Sequence, residues 1–339
     1  MGVQSGLVWQ FGTLPKGEKN LITDVPGVKV GHCTLQNGAV QTGVTAVLPH
    51  GGNCFLEKCP AAAHVINGFG KSTGLVQVQE LGTLETPIVL TNTLSVGTAL
   101  TALVRRMLAE NPDIGVTTGT VNSVVMECND GRLSDIRGLH VKEEHVFAAL
   151  DAAAEDFEEG AVGAGTGMCC YGLKGGVGSA SRLVALGEKT YTVGALVLSN
   201  FGALSDLMIA GEPVGRRLAA ERQEPDRGSV IVILATDLPL SARQLARLAR
   251  RAQNGIARTG TITGNGSGEI VLAFSTANRI PHYPAEHTLA VEILHEDYMD
   301  HAFRAAVEAV EESIVSSLLH AKTNEVTEKK IRALSDLLK

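Results

Sequence analysis

The stretch Ser229-Val-Ile-Val-Ile-Leu-Ala235 decides the fold that the sequence predicts. It is an unbroken apolar run rich in β-branched residues, which is typical of a strand buried on both faces. The charged run Glu221-Arg-Gln-Glu-Pro-Asp-Arg-Gly228 comes directly before it and is typical of an exposed loop. The junction therefore places a serine at the first position of a buried strand, directly after a polar loop.

The order of residues at this junction suits a chain that cleaves itself. A break between Gly228 and Ser229 would give Ser229 a free α-amine, with a reference pKa of about 7.7–8.0, beside its own hydroxyl. The hydroxyl would be the nucleophile and the amine its base. Gly228 tolerates the strained backbone that an N→O acyl shift needs. Taken alone, however, such a junction is more often an ordinary loop that ends at a strand.

The composition limits the class of protein. Of 339 residues, 44% are apolar but only 4% are aromatic, so we expect a large core of Val, Leu, Ile and Ala. The 38 glycines predict many tight turns and close backbone contacts rather than disorder. The net charge is −7, with both signs interspersed and no basic patch rich in aromatic residues. That charge pattern excludes a nucleic-acid-binding protein.

Cysteine usage and the apolar runs indicate the compartment. All six cysteines precede Ser229, and in a chain of this length we expect reduced core thiols rather than disulfides. No apolar run approaches the roughly 18–20 residues of a membrane span. The first residues, Met1–Leu7, lack the basic region followed by an apolar one that marks an export signal. We therefore expect no membrane association and a cytoplasmic location.

Strand and helix patterns are mixed along the chain. The predicted strands are Gly43–Leu48, Pro87–Thr91, Ser181–Leu186, Tyr191–Ser199, Ser229–Ala235 and Glu269–Ser275. The predicted helices are His145–Glu158, which Gly160 would stop, Ala242–Arg258, with Ser241 as its N-cap, and Ala302–His320. Strict βαβ alternation is missing, which favours layered sheets flanked by helices over a doubly wound nucleotide fold. Because Ser229–Ala235 is too apolar for a sheet edge, pairing should cross the junction, and we expect residues 1–339 to form a single domain.

Three other motifs are better explained by structure than by chemistry. Gly70-Lys-Ser-Thr-Gly74 matches the pattern of a hydrolase nucleophile elbow, but that turn needs a helix after it, and Leu75–Gln79 alternates like a strand. His140–His145 has two imidazoles and two carboxylates at a spacing that matches no zinc site, so a solvated helix start explains it. Gly172–Gly178 does not match the dinucleotide fingerprint. The sequence therefore predicts no metal and no cofactor.

A serine and a glutamate stand at the start of the last predicted strand. Ser267 and Glu269 are two residues apart, so in a strand their side chains can point to the same face. By themselves they form part of a turn. Together with Ser229 they could form a relay, in which Glu269 holds Ser267 and the α-amine in register for proton transfer.

Blocks of residues over nearly the whole chain carry a resemblance to a known family. The blocks are Ile22–His32, Gly43–Val47, Pro87–Gly97, Asn200–Gly202, Gly228–Val232, Gly266–Glu269 and Ala273–Asn278. In these blocks the sequence resembles the self-processing L-aminopeptidase/D-esterase-amidase (DmpA-like) family, which includes the β-peptidyl aminopeptidases. Agreement at so many ordered blocks is highly specific.

This resemblance implies a fold and an assembly. The fold is an α/β, αββα four-layer sandwich of the N-terminal-nucleophile type, shared with the ornithine acetyltransferases. An inactive precursor is cleaved in two, which here implies an α chain of residues 1–228 and a β chain of residues 229–339. The αβ units of the family assemble further, so we expect a homo-oligomer, with a tetramer as its expected size.

The resemblance also assigns the nucleophile and the groups that handle protons and charge. Ser229 is the nucleophile after cleavage at Gly228–Ser229, and Ser267 with Glu269 matches the proton-handling pair. The side chain of Asn200 and the backbone N–H of Gly268 match the groups that stabilise the oxyanion.

One further acid is matched to substrate binding. Glu127 corresponds to the residue that holds the free amino group of the substrate. Some relatives place a tyrosine near this acid as an oxyanion donor. The neighbouring residues here are Cys128, Asn129 and Asp130, so no tyrosine supplies that donor.

The expected function is that of a serine-type aminopeptidase and amidase-esterase. It would release N-terminal residues from short peptides, aminoacyl amides or esters, with β-amino acid substrates included. The alternative is a relative on the same fold that is not processed and only binds, or that transfers acyl groups. Only a processed chain has a free Ser229 amine, so processing separates the two classes. The sequence does not separate α- from β-amino substrates, nor L from D.

Overall fold

Two β-sheets lie face to face between two layers of helices in the computed structural model, which describes residues 9–218, 228–325 and 330–338. Most of the charged run before Ser229, residues 221–227, and the N-terminal Met1–Leu7 lie outside these ranges. The layered arrangement confirms the predicted αββα sandwich.

The strands and helices have the following bounds. The strands are β1 (Lys29–Asn37), β2 (Val40–Leu48), β3 (Glu57–Gly68), β4 (Thr83–Leu84), β5 (Ile88–Asn92), β6 (Val124–Cys128), β7 (Cys169–Cys170), β8 (Leu173–Lys174), β9 (Gly176–Leu186), β10 (Lys189–Asn200), β11 (Ser229–Thr236), β12 (Gly268–Ser275) and β13 (Ile280–Pro281). The helices are α1 (Leu75–Leu81), α2 (Val96–Glu110), α3 (Glu143–Asp151), α4 (Val214–Leu218), α5 (Ala242–Arg258), α6 (Met299–His320) and α7 (Leu334–Leu337).

The strand that follows the predicted cleavage junction lies in the middle of the large sheet. That sheet has the order β13-β3-β12-β11-β10-β9, with β4 paired to β3, and the small sheet has the order β1-β2-β5-β6. β11 is antiparallel to β10 and parallel to β12, and every one of its residues is buried. Pairing therefore crosses the junction, as its apolar sequence predicts.

Side-chain alternation along β11 assigns its residues to two cores. Val230 and Val232 pack in the outer core, against α5 and α6. Ile231 and Ile233 pack in the core between the sheets, with residues of β5 and β6. A third core packs α2 and α3 on the other face of the small sheet. Ser229 has the same parity as Ile231, so its side chain faces the space between the sheets.

Most of the predicted strands and helices are confirmed, because their periodic patterns are long. The six predicted strands correspond to β2, β5, β9, β10, β11 and β12. α5 has the predicted bounds, and the hydroxyl of Ser241 accepts a hydrogen bond from the N–H of Gln244 at its start. α6 begins at Met299, slightly before the predicted start at Ala302.

Two local predictions are wrong. The predicted helix His145–Glu158 is instead Glu143–Asp151, because Ala154 leaves the helix and exchanges two backbone hydrogen bonds with Val30 of β1. Leu75–Gln79 is part of helix α1 rather than a strand. Its alternation misleads because Val76 is 82% exposed while Val78 is buried, and glycines with positive φ bound the helix at both ends.

Candidate active site

A cavity of about 650 Å³ opens where the last residues of β6 and β10 approach the first residue of β11. Its described wall contains Glu127, Asn200 and Ser229, three of the residues that the family resemblance singles out. Glu127 is the one carboxylate among the described lining residues, and Lys71 and Arg132 are the cations. The cavity thus brings together a hydroxyl, an amide and charges of both signs.

Ser229 is held at the inner end of the cavity by two neighbouring strands. It pairs with Asn200 on β10 and with Gly268 on β12, and only 5% of it is exposed. On the face toward the small sheet it meets the thiol of Cys128. Burial raises the pKa of Cys128 well above its usual value, and a hydrogen bond with Ser229 opposes that rise. The sequence gives no sign of this contact between Cys128 and Ser229, because only the approach of the two sheets creates it.

The carbonyl oxygen of Gly228 lies against one backbone N–H group. The N–H of Gly268 donates to the Gly228 carbonyl oxygen at 3.2 Å. A Cβ at position 228 would lie 1.8 Å from the carbonyl oxygen of Asn200, so only glycine fits there. Close approach, rather than a strained dihedral, is therefore the structural reason for the glycine. The peptide bond predicted to break already has a donor on its carbonyl oxygen.

Asn200, the last residue of β10, has its side-chain amide fixed in one orientation. Its Oδ1 accepts from the N–H of Cys169 at 2.9 Å, and its Nδ2 donates to the carbonyl oxygen of Asn129 at 2.9 Å. An amide nitrogen carries two hydrogens. One of them is therefore used by Asn129, which leaves the other for a group in the cavity.

Glu127 is a buried carboxylate whose two oxygens are held by neutral donors. Oε1 accepts from the N–H of Lys71 at 2.9 Å, and Oε2 accepts from the hydroxyl of Thr93. Only 3% of the residue is exposed. A carboxylate has about four lone-pair positions, so it can still accept from an ammonium group that enters the cavity.

Ser267 and Glu269 form the predicted pair, but behind the cavity rather than in its wall. The Ser267 hydroxyl donates to Oε1 of Glu269 at 3.0 Å, and the Thr263 hydroxyl donates to Oε2 at 3.0 Å. Glu269 alternates with Ile270, which faces the core between the sheets, so Glu269 faces the α5 layer. The pair flanks Gly268, the residue that pairs with Ser229. Their role in proton transfer stays a prediction.

Of the remaining motifs, His140–His145 lies outside the described cavity wall, whereas Lys71 of Gly70–Gly74 and Gly172 of the glycine-rich stretch line it. His140 contacts Asp135 at 3.1 Å, and Nδ1 of His145 accepts from the N–H of Lys142 at the start of α3, as expected for a solvated helix start. All six cysteines lie within the described ranges, and no disulfide bond links any two of them. Within the described ranges, no group of three or more His, Cys, Asp or Glu side chains is arranged to hold a metal ion.

A buried lysine near Asn200 carries no sequence signal. Lys174 ends β8, inside the glycine-rich stretch Gly172–Gly178 that the sequence analysis assigned to structure. Its ammonium group donates to three backbone carbonyl oxygens, and burial lowers its pKa to about 8. No pattern in the sequence shows that three carbonyl groups converge on one side chain.

Among the helices that the structure describes, none has the length and apolar character needed to cross a membrane.

Comparison with known proteins places this geometry in a family. A sequence model of peptidase family S58 matches residues 20–332. β-Peptidyl aminopeptidase BapA of Sphingosinicella microcystinivorans is 41% identical over 335 residues, which cover 91% of this chain and 83% of that protein.

Two solved structures are similar over nearly their whole length. The PH0078 protein of Pyrococcus horikoshii OT3 is 54% identical, with a TM-score of 0.93 over 97% of this chain and 96% of that one. The L-aminopeptidase D-Ala-esterase/amidase of Ochrobactrum anthropi is 39% identical, with a TM-score of 0.90 over 97% and 95%. The latter is described as a serine aminopeptidase with a variant of the Ntn hydrolase fold.

Proposed function

The chain belongs to peptidase family S58, and on that premise we propose that it is a serine aminopeptidase and amidase-esterase activated by cleavage of its own Gly228–Ser229 bond. One observation carries the proposal. The Gly228 carbonyl oxygen accepts the Gly268 N–H while Ser229, Asn200 and Glu127 line the adjoining cavity. The same groups can therefore act first on the chain itself and then on a substrate.

In the proposed self-cleavage, the Ser229 hydroxyl acts on the carbonyl group of the residue directly before it, Gly228. The hydroxyl oxygen attacks the carbonyl carbon, and the Gly268 N–H stabilises the negative charge on the carbonyl oxygen. The Gly228–Ser229 C–N bond then breaks, and the nitrogen takes up the proton lost by the hydroxyl. Water hydrolyses the resulting ester, which leaves a carboxylate on Gly228 and a free α-amine on Ser229.

The processed serine repeats this chemistry on a substrate. Its α-amine accepts the hydroxyl proton while the oxygen attacks the substrate carbonyl carbon. Asn200 Nδ2 and the Gly268 N–H stabilise the oxyanion, and the ammonium group returns its proton to the leaving amine or alcohol. Water then hydrolyses the acyl-enzyme by the same route. The buried Ser267–Glu269 pair, beside Gly268, favours the protonated form of the amine during each step.

Glu127 sets the class of substrate. A buried carboxylate with open lone-pair positions pairs with an ammonium group, so the substrate needs a free N-terminus. We propose short peptides, aminoacyl amides and esters as substrates. We include β-aminoacyl compounds among them, because the Sphingosinicella relative is a β-peptidyl aminopeptidase.

Self-association of the αβ units forms part of the proposal. Leu289, Val291 and Ile293 alternate along a segment after β13 and are 43–55% exposed. Apolar side chains in such a row suit an interface with a second copy. Light scattering of the purified protein should give a multiple of the 35.5 kDa chain mass. The single-domain organisation and the cytoplasmic location stay predictions.

A panel of L-, D- and β-homoaminoacyl p-nitroanilides, each with an N-acetylated counterpart, tests the function. The processed protein should hydrolyse free-amine substrates and leave the acetylated ones nearly untouched. Ser229→Ala should stay a single chain and be inactive on the whole panel. Equal turnover of acetylated and free-amine substrates would contradict the role of Glu127, and activity in Ser229→Ala would contradict that of Ser229.

A further inference from the structure

Lys174 is a fully buried ammonium group without a carboxylate partner among the hydrogen bonds that the structure describes. Its Nζ donates to the carbonyl oxygens of Gly165 at 3.1 Å, Met168 at 2.7 Å and Gly175 at 2.8 Å. An ammonium group has three hydrogens, and the three carbonyl groups satisfy all of them. Burial of a charge without a counter-charge is costly, which makes such a group a candidate for a functional role.

One of these carbonyl groups belongs to the peptide unit that holds Asn200. The Met168 carbonyl oxygen accepts from Lys174, and the N–H of the same peptide unit, on Cys169, donates to Oδ1 of Asn200 at 2.9 Å. A second donor, the N–H of Gly175, also bonds to the Met168 oxygen at 3.0 Å. Lys174 also pairs directly with Cys169 in the β7–β8 ladder. The Met168–Cys169 peptide unit is therefore held at its carbonyl oxygen and at its N–H.

We propose that Lys174 is a positioning residue that orients and polarises the Asn200 amide through the Met168–Cys169 peptide unit. This inference rests on the proposed role of Asn200 in stabilising the oxyanion. Hydrogen bonds in a chain strengthen one another, most of all where the dielectric is low. The ammonium group draws electron density toward the Met168 oxygen, which makes the Cys169 N–H a stronger donor. The Asn200 amide is polarised in turn, and its Nδ2 becomes a better donor to a developing oxyanion.

The orientation of the amide matters as much as its polarisation. If the Cys169 N–H turned away, the Asn200 side chain could flip and present its oxygen to the oxyanion, which would repel it. Lys174 prevents this by fixing the peptide unit from its other side. The same device would serve both self-cleavage and substrate hydrolysis, because the cavity that contains Asn200 also contains Gly228 and Ser229.

A double-mutant cycle of Lys174→Met and Asn200→Ala tests the relay, with kcat expressed per processed Ser229 N-terminus. Loss of one oxyanion donor costs about 10²–10³ in kcat, so Asn200→Ala should lose that much and Lys174→Met about tenfold to a hundredfold. KM should change little in both. The double variant should match Asn200→Ala alone, because Lys174 then has no amide to act through.

Lys58→Met is the control for loss of a largely buried lysine away from the cavity, where the charge is paired with Glu85 at 3.5 Å. Lys58 is also a largely buried lysine that donates to a backbone carbonyl group, at Phe55, but it lies near the opposite end of β3 from Gly68 and is not among the described cavity residues. Its kcat should match the wild type. Multiplicative effects of Lys174→Met and Asn200→Ala would overturn the relay, and so would a wild-type kcat in folded Lys174→Met. If Asn200→Ala itself keeps the wild-type kcat, the proposed oxyanion role fails instead.

The pH profile keeps the inference testable even if Lys174→Met does not fold. Burial lowers the pKa of Lys174 to about 8, and the neighbouring titratable groups that act on it are the thiols of Cys169 and Cys170. Deprotonation leaves a lone pair facing a carbonyl oxygen and weakens the relay. The ratio of the wild-type kcat to the Asn200→Ala kcat should therefore fall as the pH rises through about 8, because both proteins share any rise that comes from deprotonation of the Ser229 α-amine. The same pH dependence in both proteins, and hence a constant ratio, would overturn the relay.

Discussion

Two buried regions of the molecule hold their charges in different ways. Between the large sheet and α6, the guanidinium of Arg182 lies 3.3 Å from Glu308 and 2.6 Å from Glu312, measured from nitrogen to carboxylate oxygen. At the cavity, Glu127 is held by a backbone N–H and a hydroxyl, and Lys174 is held by three carbonyl groups. In the first region opposite charges neutralise each other. In the second, neutral dipoles hold single charges.

This difference separates charges that stabilise the fold from charges that can act on a ligand or on a neighbouring group. An ion pair such as Arg182–Glu308 is saturated by its partner, so it has little effect on an incoming group. A carboxylate held by neutral donors keeps its negative charge available to a ligand. A buried ammonium group held by neutral acceptors likewise polarises whatever lies beyond them. This contrast predicts that substitutions in the two regions change different measured quantities.

The largest effect is expected at the junction itself. Gly228→Ala should abolish self-cleavage, because the added Cβ would lie 1.8 Å from the Asn200 carbonyl oxygen and displace the carbonyl group from the Gly268 N–H. Gly266→Ala is the control, since a Cβ there meets no atom within 4 Å. A denaturing gel over time measures both. Wild-type processing in Gly228→Ala would show that this contact does not matter.

The next largest effect is on stability, away from the cavity. Arg182→Met removes the cation from the buried Glu308 and leaves Lys16, 2.5 Å from Oε1, as the cation beside Glu312. Loss of one partner of a buried ion pair typically costs about 3–5 kcal/mol in the free energy of unfolding. Denaturant unfolding measures this loss. The kcat of the folded, processed variant should match the wild type, because Arg182 does not line the described cavity. A large fall in kcat would remove the distinction between the two regions.

Glu127→Gln should produce the opposite pattern to Arg182→Met, because it should lower activity rather than the free energy of unfolding. Charge-assisted hydrogen bonds contribute about 1.5–3 kcal/mol, so kcat/KM for free-amine substrates should fall roughly 10- to 150-fold. Turnover of N-acetylated substrates should not fall, since they have no ammonium group to lose. A parallel fall for both substrate classes would indicate damage to the site rather than loss of amine recognition.

The smallest effect concerns Asp130, close to Glu127. Burial raises the pKa of Asp130 to about 6, although Thr42 and Asn92 partly offset the rise. Its charged form therefore costs stability above about pH 6, and the cost disappears below its ordinary pKa. Asp130→Asn should raise the free energy of unfolding at pH 8 by on the order of 1 kcal/mol, with no gain near pH 3.5. A gain that does not change with pH would contradict this cause.

The sequence predicts what is local and periodic. β11 and α5 follow from long apolar patterns, and the hydrogen bond between Ser267 and Glu269 follows from their spacing. The end of α3 could not be predicted from the sequence pattern, because Ala154 leaves the helix to pair with a strand more than a hundred residues earlier in the chain.

Residues that act through tertiary contacts could not be identified from patterns in the sequence. Asn200 and Glu127 could be named only from the family resemblance, since neither stands in a motif of its own. Lys174 has no signal at all, because its three carbonyl partners meet only in the folded chain. Cys128 reaches Ser229 only because two sheets pack face to face.

The most direct test of the central claim is the N-terminal sequence of the purified, active protein after separation on a denaturing gel. Two fragments should appear, and the smaller should begin Ser-Val-Ile-Val, with Ser229 as its first residue. Ser229→Ala should give one intact chain without activity. Full activity in a preparation that contains only the intact chain would contradict the account.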